Sequence, residues 1–243
     1  MLAAFFDQFN VVRLVTIQAF PGDWLVTITN SSIMMVLVII IVWLLLKGEK
    51  LVPGRWQSIM ELIHSNMRSI VQDNLGRLGQ KYFPFVLCLF LFIVMLNVLG
   101  LFPYVFTPTA HIVMTFGMSL SIIIAVALLG FINFKWNFLS ILMPGGVPLG
   151  LAPFLVIIET LSFMIRAISL GVRLAANISA GHLLFAILSG FAFTMLSNGL
   201  ILSVFPIMIL VFITLLEIMV AVIQAYVFCL LTTIYLGDTV ALH

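Results

Sequence analysis

The sequence predicts an all-α integral membrane protein. Three observations carry that expectation: 64% of the 243 residues are hydrophobic, 7% are charged, and the apolar residues fall in runs long enough to cross a bilayer. A mean hydropathy of +1.33 leaves too little polar surface to coat a soluble globule. The chain, 1–243, reads as a single membrane domain. Its net charge of +2 is too small to imply nucleic acid or a strongly acidic partner. Cys88 and Cys229 sit inside apolar runs without metal-type spacing, so no disulfide framework, metal site or cofactor is expected. The N-terminus, through Asp7, Arg13 and Asp23, lacks the basic, apolar and small-residue pattern of a signal peptide.

Taken in order, the first element is a vertical transmembrane helix over 24–46, because no charge falls between Asp23 and Lys47 and the core from Ile33 onward is solidly apolar. The stretch from Lys47 to Lys81 holds six basic residues (Lys47, Lys50, Arg55, Arg68, Arg77, Lys81) against three acidic ones, which assigns it to the matrix or cytoplasmic face. After the Pro53-Gly54 break, Trp56, Ile59, Met60, Ile63, Met67, Ile70 and Val71 recur at helical spacing. That pattern predicts an amphipathic interfacial helix over 53–78. Residues 82–134 carry no formal charge and are divided by Pro103 and Pro108, which predicts a membrane helical hairpin. A loop containing Pro144, Gly145, Gly146, Pro148 and Pro153 follows. Two long apolar stretches, 154–196 and 200–237, complete the chain. At about 1.5 Å per residue each would reach roughly 55 to 65 Å as one helix, whereas a vertical span needs about 20 residues. Either they divide into four ordinary spans, or they are two long, strongly tilted helices. Positive-inside counting does not decide, since no lysine or arginine follows Arg173.

Polar residues in these stretches are ordered. Glu159, Arg166 and Arg173 are seven apart and drift only about 20° per step around an ideal helix, so they share a face. Asn177 extends it. Ala167, Gly171, Ala175 and Ser179 form a small-residue row on the opposite side, suited to close helix approach. Glu217 and Gln224 share a face of the last stretch, with Asp238 beyond them. An arginine at the bilayer centre costs roughly 2.5 to 3.5 kcal/mol on insertion scales and cannot shed its proton, so Arg173 needs a partner or a task. Ordered intramembrane charges read first as an ion pathway. Plainer readings stand beside that one. Glu159 with Arg166 could be a structural ion pair, His182 taken alone could be a hydrogen-bonded buried histidine, and the small-residue row reads as packing. His64 and His111 read as interfacial and His243 as terminal, without assigned chemistry.

The run Ser-Leu-Gly-Val-Arg-Leu-Ala-Ala-Asn-Ile-Ser-Ala-Gly-His from Ser169 to His182 is followed by Leu215-Leu216-Glu217, Gln224-Ala225-Tyr226 and an ending from Ile234-Tyr235-Leu236 to His243. Together these resemble the a subunits of rotary F-type ATP synthases, closely over the last two stretches and in outline elsewhere. The resemblance implies that the chain is the stationary proton-channel subunit, not catalytic alone, facing a rotating c-ring. It also implies a peripheral stalk, other small membrane subunits, lipid and transported protons as partners. Arg173 would face the ring carboxylates, His182 and Glu217 would belong to the inlet half-channel, and Glu159 to the outlet one. Asn177, Gln224 and Asp238 are further candidates for the path. The last two stretches would be the long tilted helices that wrap the ring. The His182/Glu217 arrangement resembles the mitochondrial type, which implies the inner mitochondrial membrane, with a bacterial plasma membrane as the alternative.

Elementary electrostatics supports that role. A carboxyl buried in lipid stays protonated because desolvation raises its pKa by several units, and it can then travel as a neutral group. Beside Arg173, at about 4 Å and an effective dielectric of about 20, attraction of order 4 kcal/mol offsets that shift and favours ionisation. A guanidinium that never deprotonates also interrupts a proton wire running straight between the half-channels. Histidine and glutamate can relay protons at physiological pH. Nine residues separate Arg173 from His182, about 180° on an ideal helix, which suits an arginine facing the ring and a histidine facing a half-channel. A membrane subunit of a respiratory redox complex is the alternative. Its signature would be paired histidines on facing spans, and the four histidines here are scattered. A secondary transporter would show an internal repeat, and the sequence has none.

Overall fold

The structure, a computed structural model, describes residues 11–18, 25–47, 54–76, 79–102, 105–134, 152–198 and 200–240. Among the described residues the architecture is all-α apart from one short antiparallel strand pair. Strands β1 (Arg13–Gln18) and β2 (Leu25–Thr29) pair antiparallel, with Ile17 opposite Val26 and an irregularity between Arg13 and Val15. Both strands are rich in β-branched residues, which suits a pleated ladder.

Helix α1 covers Asn30–Leu46, so the expected span 24–46 is corrected at its start. Trp24 itself lies outside the described residues. The late start has a local cause. Thr29 N–H donates to Ser32 Oγ at 3.1 Å, and Ser32 N–H lies 3.4 Å from Thr29 Oγ1. This reciprocal capping pair fixes Thr29 as the residue before the helix. At 17 residues α1 is about 26 Å long, somewhat short of the ~30 Å hydrocarbon thickness.

Helix α2 (Arg55–Leu75) buries Met67, Val71 and Leu75, one turn apart, and leaves Trp56, Ile59 and Leu62 exposed. It ends at Gly76, whose φ of +59° is the left-handed conformation that glycine adopts without a Cβ penalty; its N–H caps the Gln72 carbonyl. Helix α3 (Gly79–Gly100) starts almost at once. A Cβ at Gly79 would stand 2.9 Å from both Val71 Cγ1 and the Val71 carbonyl oxygen, so the corner closes only around glycine. A three-residue 3₁₀ turn at Pro108–Ala110 leads into α4 (Ile112–Phe134). The loop through Pro144, Gly145, Gly146 and Pro148 lies outside the described residues, whereas Pro153 falls in the first turn of α5, where its missing N–H costs no helical bond.

Each of the two long stretches is one helix: α5 (Ala152–Asn198) and α6 (Leu200–Val240), 47 and 41 residues. Helices α3, α4, α5 and α6 are long and apolar enough to cross a membrane.

The chain divides into two compact units. One comprises Met1–Leu44, Phe92–Ile112 and Leu174–Ala225; the other comprises Leu45–Leu91, Val113–Arg173 and Tyr226–His243. In the first, Leu174, Ala175, Ile178, Ala221 and Ala225 are buried, and Asn97 Nδ2 donates to the Ala221 carbonyl at 3.3 Å. In the second, α4 and α5 approach through Gly171, where an added Cβ would lie 2.7 Å from Ser119 Oγ and 2.9 Å from Phe116 Cα. At the far end of α6, Gly237 sits against the Asn74 carbonyl of α2.

Candidate functional site

In the first unit, Glu217 is buried, only 7% exposed, within the apolar helix α6. Its carboxyl lies directly on the backbone of α5 at Gly181: a Cβ there would overlap Oε1 and fall 2.7 Å from Cδ. The space for the carboxyl exists because residue 181 has no side chain. Oε1 has no hydrogen-bond partner among the described residues. A buried acceptor without a donor costs about 1–3 kcal/mol, so such a group stands out against the rule that buried polar atoms are paired.

The next residue on α5, His182, reaches the α3–α4 connection, where its Nε2 is 3.2 Å from Thr107 Oγ1. Thr107 is buried, and its hydroxyl donates to the Gly100 carbonyl at 3.2 Å. With that hydrogen committed, the threonine oxygen is the acceptor for Nε2–H, which leaves Nδ1 as the basic nitrogen of the neutral ring. Gly100 is required for this contact, since a Cβ there would collide with the Thr107 methyl. Three residues before His182, Ser179 Oγ donates to the Ala110 carbonyl at 2.9 Å, a second tie between α5 and the same connection.

Asn97 is fully buried on α3, with its amide on the Ala221 carbonyl one turn beyond Glu217. Its Oδ1 and the hydroxyl of Thr109 are buried without partners among the described residues. The unit therefore brings together two protonatable side chains from two helices, His182 of α5 and Glu217 of α6, whose carboxyl rests on Gly181 next to the histidine, with neutral hydrogen-bonding groups in the same unit. Asn177 and Gln224 belong to the same unit. Both are half-buried and make no hydrogen bond among the described residues.

The second unit holds Glu159, Arg166 and Arg173. Glu159 is half-buried, and both arginines are exposed. The alternative of a Glu159–Arg166 ion pair is corrected: the guanidinium of Arg166 lies over the Tyr235 ring, 5.9 Å from its centroid, and Glu159 has no ion pair among the described residues. Two helical turns put the two side chains about 10 Å apart along the axis, whereas neighbours on a helix are three or four residues apart. Arg173 likewise has no hydrogen bond or ion pair among the described residues. Asp238 falls within α6, but its side chain lies outside the described residues.

Thr107, Asn97 and Gly181 are the site residues that sequence reasoning passed over. Asn97 carried a readable signal, a lone amide in the apolar run of α3. Thr107 and Gly181 matter through partners distant in the chain, and nothing local marks them. Ser179, read as a member of a packing row, also hydrogen-bonds.

The sequence profile described as ATP synthase A chain matches residues 28–237. The ATP synthase subunit a of Metridium senile is 60% identical over 243 residues, covering all of both chains. That of Marchantia polymorpha is 44% identical with 98% of each chain covered, and that of Rhodospirillum rubrum 39% identical, again with 98% of each covered.

Proposed function

Because the chain belongs to the ATP synthase A chain family, we propose that it is the stationary proton-translocating subunit of a rotary F-type ATP synthase, coupling proton flow to rotation of a c-ring and so to ATP synthesis. The observation that carries this reading is the buried Glu217 carboxyl lodged against Gly181, beside His182, inside helices apolar enough to cross a membrane. Neither side chain adds to an apolar core, and both exchange protons as residue types.

In the proposed mechanism a proton entering the inlet half-channel is passed between His182 and Glu217. Thr107 holds the imidazole through Nε2, so Nδ1 is the nitrogen at which the ring takes up the relayed proton and gives it back. Asn97 and Gln224 offer donors and acceptors to the relay without a charge of their own. The proton then neutralises a c-ring carboxylate, which turns into lipid as a neutral group. On return, a carboxyl arriving near Arg173 ionises beside the fixed positive charge and delivers its proton to the outlet half-channel, to which Glu159 belongs. Asp238 is a further carboxylate of the proposed path, while Arg166, its guanidinium over the Tyr235 ring at 5.9 Å, ties α5 to α6 in its unit. The exposed position of Arg173 and its lack of a partner within the described chain support an external carboxylate as its counter-charge. The setting is the inner mitochondrial membrane, with a peripheral stalk and small membrane subunits around this chain.

The experiment is proton flux through the reconstituted membrane sector with its ring, comparing the native chain with Arg173→Ala at a fixed imposed potential. Loss of ATP-coupled pumping with a persisting or increased passive leak supports the gate. Unchanged coupled pumping removes it.

A further inference from the structure

A cavity of about 450 Å³ lies at the corner between α2 and α3, lined by His64, Arg68, Val71, Gln72, Gly76, Gly79, Gln80 and Phe83. Each of its polar side chains, His64, Arg68, Gln72 and Gln80, can donate a hydrogen bond. The guanidinium of Arg68 and the amides of Gln72 and Gln80 make no hydrogen bond or ion pair among the described residues. The His64 ring stands edge-on to Phe83 at 4.7 Å. Among the described residues no carboxylate lines the cavity. The two acids of α2 are engaged elsewhere, Glu61 with Gln57 at 3.2 Å and Asp73 with Ser69 at 3.3 Å, and Lys81 is turned to the Tyr82 ring. Gly76 and Gly79 leave the rim without side chains, and a Cβ at Gly76 would meet nothing within 4 Å.

We propose that this corner is a binding site for an anionic phospholipid, with its phosphate held by Arg68, Gln72, Gln80 and His64. An arginine without a partner among the described residues presents a planar fork that fits two phosphate oxygens, and two amides and an imidazole at the same cavity can satisfy the others. A lipid rather than free phosphate is the occupant because the cavity is half apolar, through Val71 and Phe83, and sits where an interfacial helix meets a membrane-crossing one. Trp56, Ile59 and Leu62 of α2 and Phe85 of α3 are exposed apolar surface on the same two helices, suited to acyl chains. Basic pockets beside membrane helices on the positive side favour such head groups generally. The inference depends on membrane placement and not on the proton path, so it stands or falls separately from the proposed function.

The test uses the intact complex in phosphatidylcholine nanodiscs doped with a photoactivatable phosphatidylglycerol. Labelling is mapped by mass spectrometry in the native chain and in Arg68→Gln, Gln72→Leu and Lys81→Gln. The expected result is labelling on the α2–α3 peptides, reduced about tenfold by Arg68→Gln, as loss of a charge-assisted pair implies. Gln72→Leu lowers it less, Lys81→Gln leaves it intact, and excess inorganic phosphate does not displace the probe. Equal losses in Arg68→Gln and Lys81→Gln would reduce the effect to diffuse surface charge and overturn the site. Equal labelling by a phosphatidylcholine probe, or displacement by inorganic phosphate, overturns the anionic lipid as its ligand.

Discussion

At position 181 the side chain is a single hydrogen, and the carboxyl of Glu217 occupies the volume that any other residue would fill. Gly181→Ala therefore acts on the glutamate more than on the helix, where alanine is the better former. The methyl cannot fit without moving the carboxyl, an overpacking cost of about 1–3 kcal/mol. Misplacing a reacting group by about an ångström costs as much as 10²-fold, so ATP-driven proton pumping should fall at least about tenfold at unchanged complex yield. Acidification of inverted vesicles, normalised to assembled complex, measures it; native pumping would show that the seat is dispensable. Arg166 should behave in the opposite way. An exposed guanidinium over an aromatic ring contributes about 0.5–1 kcal/mol, so Arg166→Gln should weaken retention of the subunit in detergent while changing pumping per complex by no more than about twofold. A loss of pumping comparable to that of Arg173→Ala would move Arg166 from packing into the proton path. Both arginines stand out in the sequence for the same reason, charge in an apolar run, and only the ring of Tyr235 separates their readings. The signal that singles out Arg173, His182 and Glu217 as candidates, a polar group in an apolar run, does not reach Gly181 or Thr107, because an absent side chain and a connection hydroxyl acquire meaning only from what lies across from them.

Among the elements, two helical glycines give opposite expectations. At Gly171 of α5 a Cβ would stand 2.7 Å from Ser119 Oγ, 2.9 Å from Phe116 Cα and 3.0 Å from the Thr115 carbonyl, while at Gly117 of α4 it would meet nothing within 4 Å. Backbone atoms of α4 cannot rotate aside, so Gly171→Ala should destabilise by about 1–3 kcal/mol and Gly171→Leu should abolish accumulation of the subunit. Gly117→Ala should be neutral or stabilise by up to about 1 kcal/mol, since alanine favours the helix and finds open space. Steady-state levels of the chain in isolated membranes report both; equal losses at the two positions would remove the close-approach argument. The spacing of Ala167, Gly171, Ala175 and Ser179 made this contact legible, because small residues every fourth position have few other uses in an apolar helix. The start of α1 was less legible. Hydropathy counts β-branched strand residues as membrane residues, so Leu25–Thr29 reads as part of a span until the Thr29–Ser32 capping pair shows where the helix begins.

On the scale of the molecule, composition was enough for the all-α membrane class because an interior and a lipid-facing exterior are both apolar. That same equivalence hides partners, since lipid and a protein neighbour demand similar residues. Much of α5 and α6 is exposed apolar surface; Phe193, Met208, Phe212 and Leu215 are examples. The charge is what distinguishes the two environments. An unpartnered arginine facing lipid is costly, whereas one facing a carboxylate on another protein is compensated. Ala176 lies three residues after Arg173 on α5, is also exposed, and brings no charge of its own. A cysteine at Ala176 should therefore form a cross-link with cysteines placed near the proton-carrying carboxylate of the c subunits in the assembled complex. A cysteine at Ala175, which is fully buried, should not. If the partner is a rotating ring, as proposed, the Ala176 cross-link should also stop ATP-driven pumping, and reduction of the disulfide should restore it. If Ala176 instead reacts only with lipid-soluble maleimides and never with the ring, this face of α5 looks onto the bilayer. Arg173 would then need a counter-charge other than the c subunits, and the gate built on it would lose its physical basis.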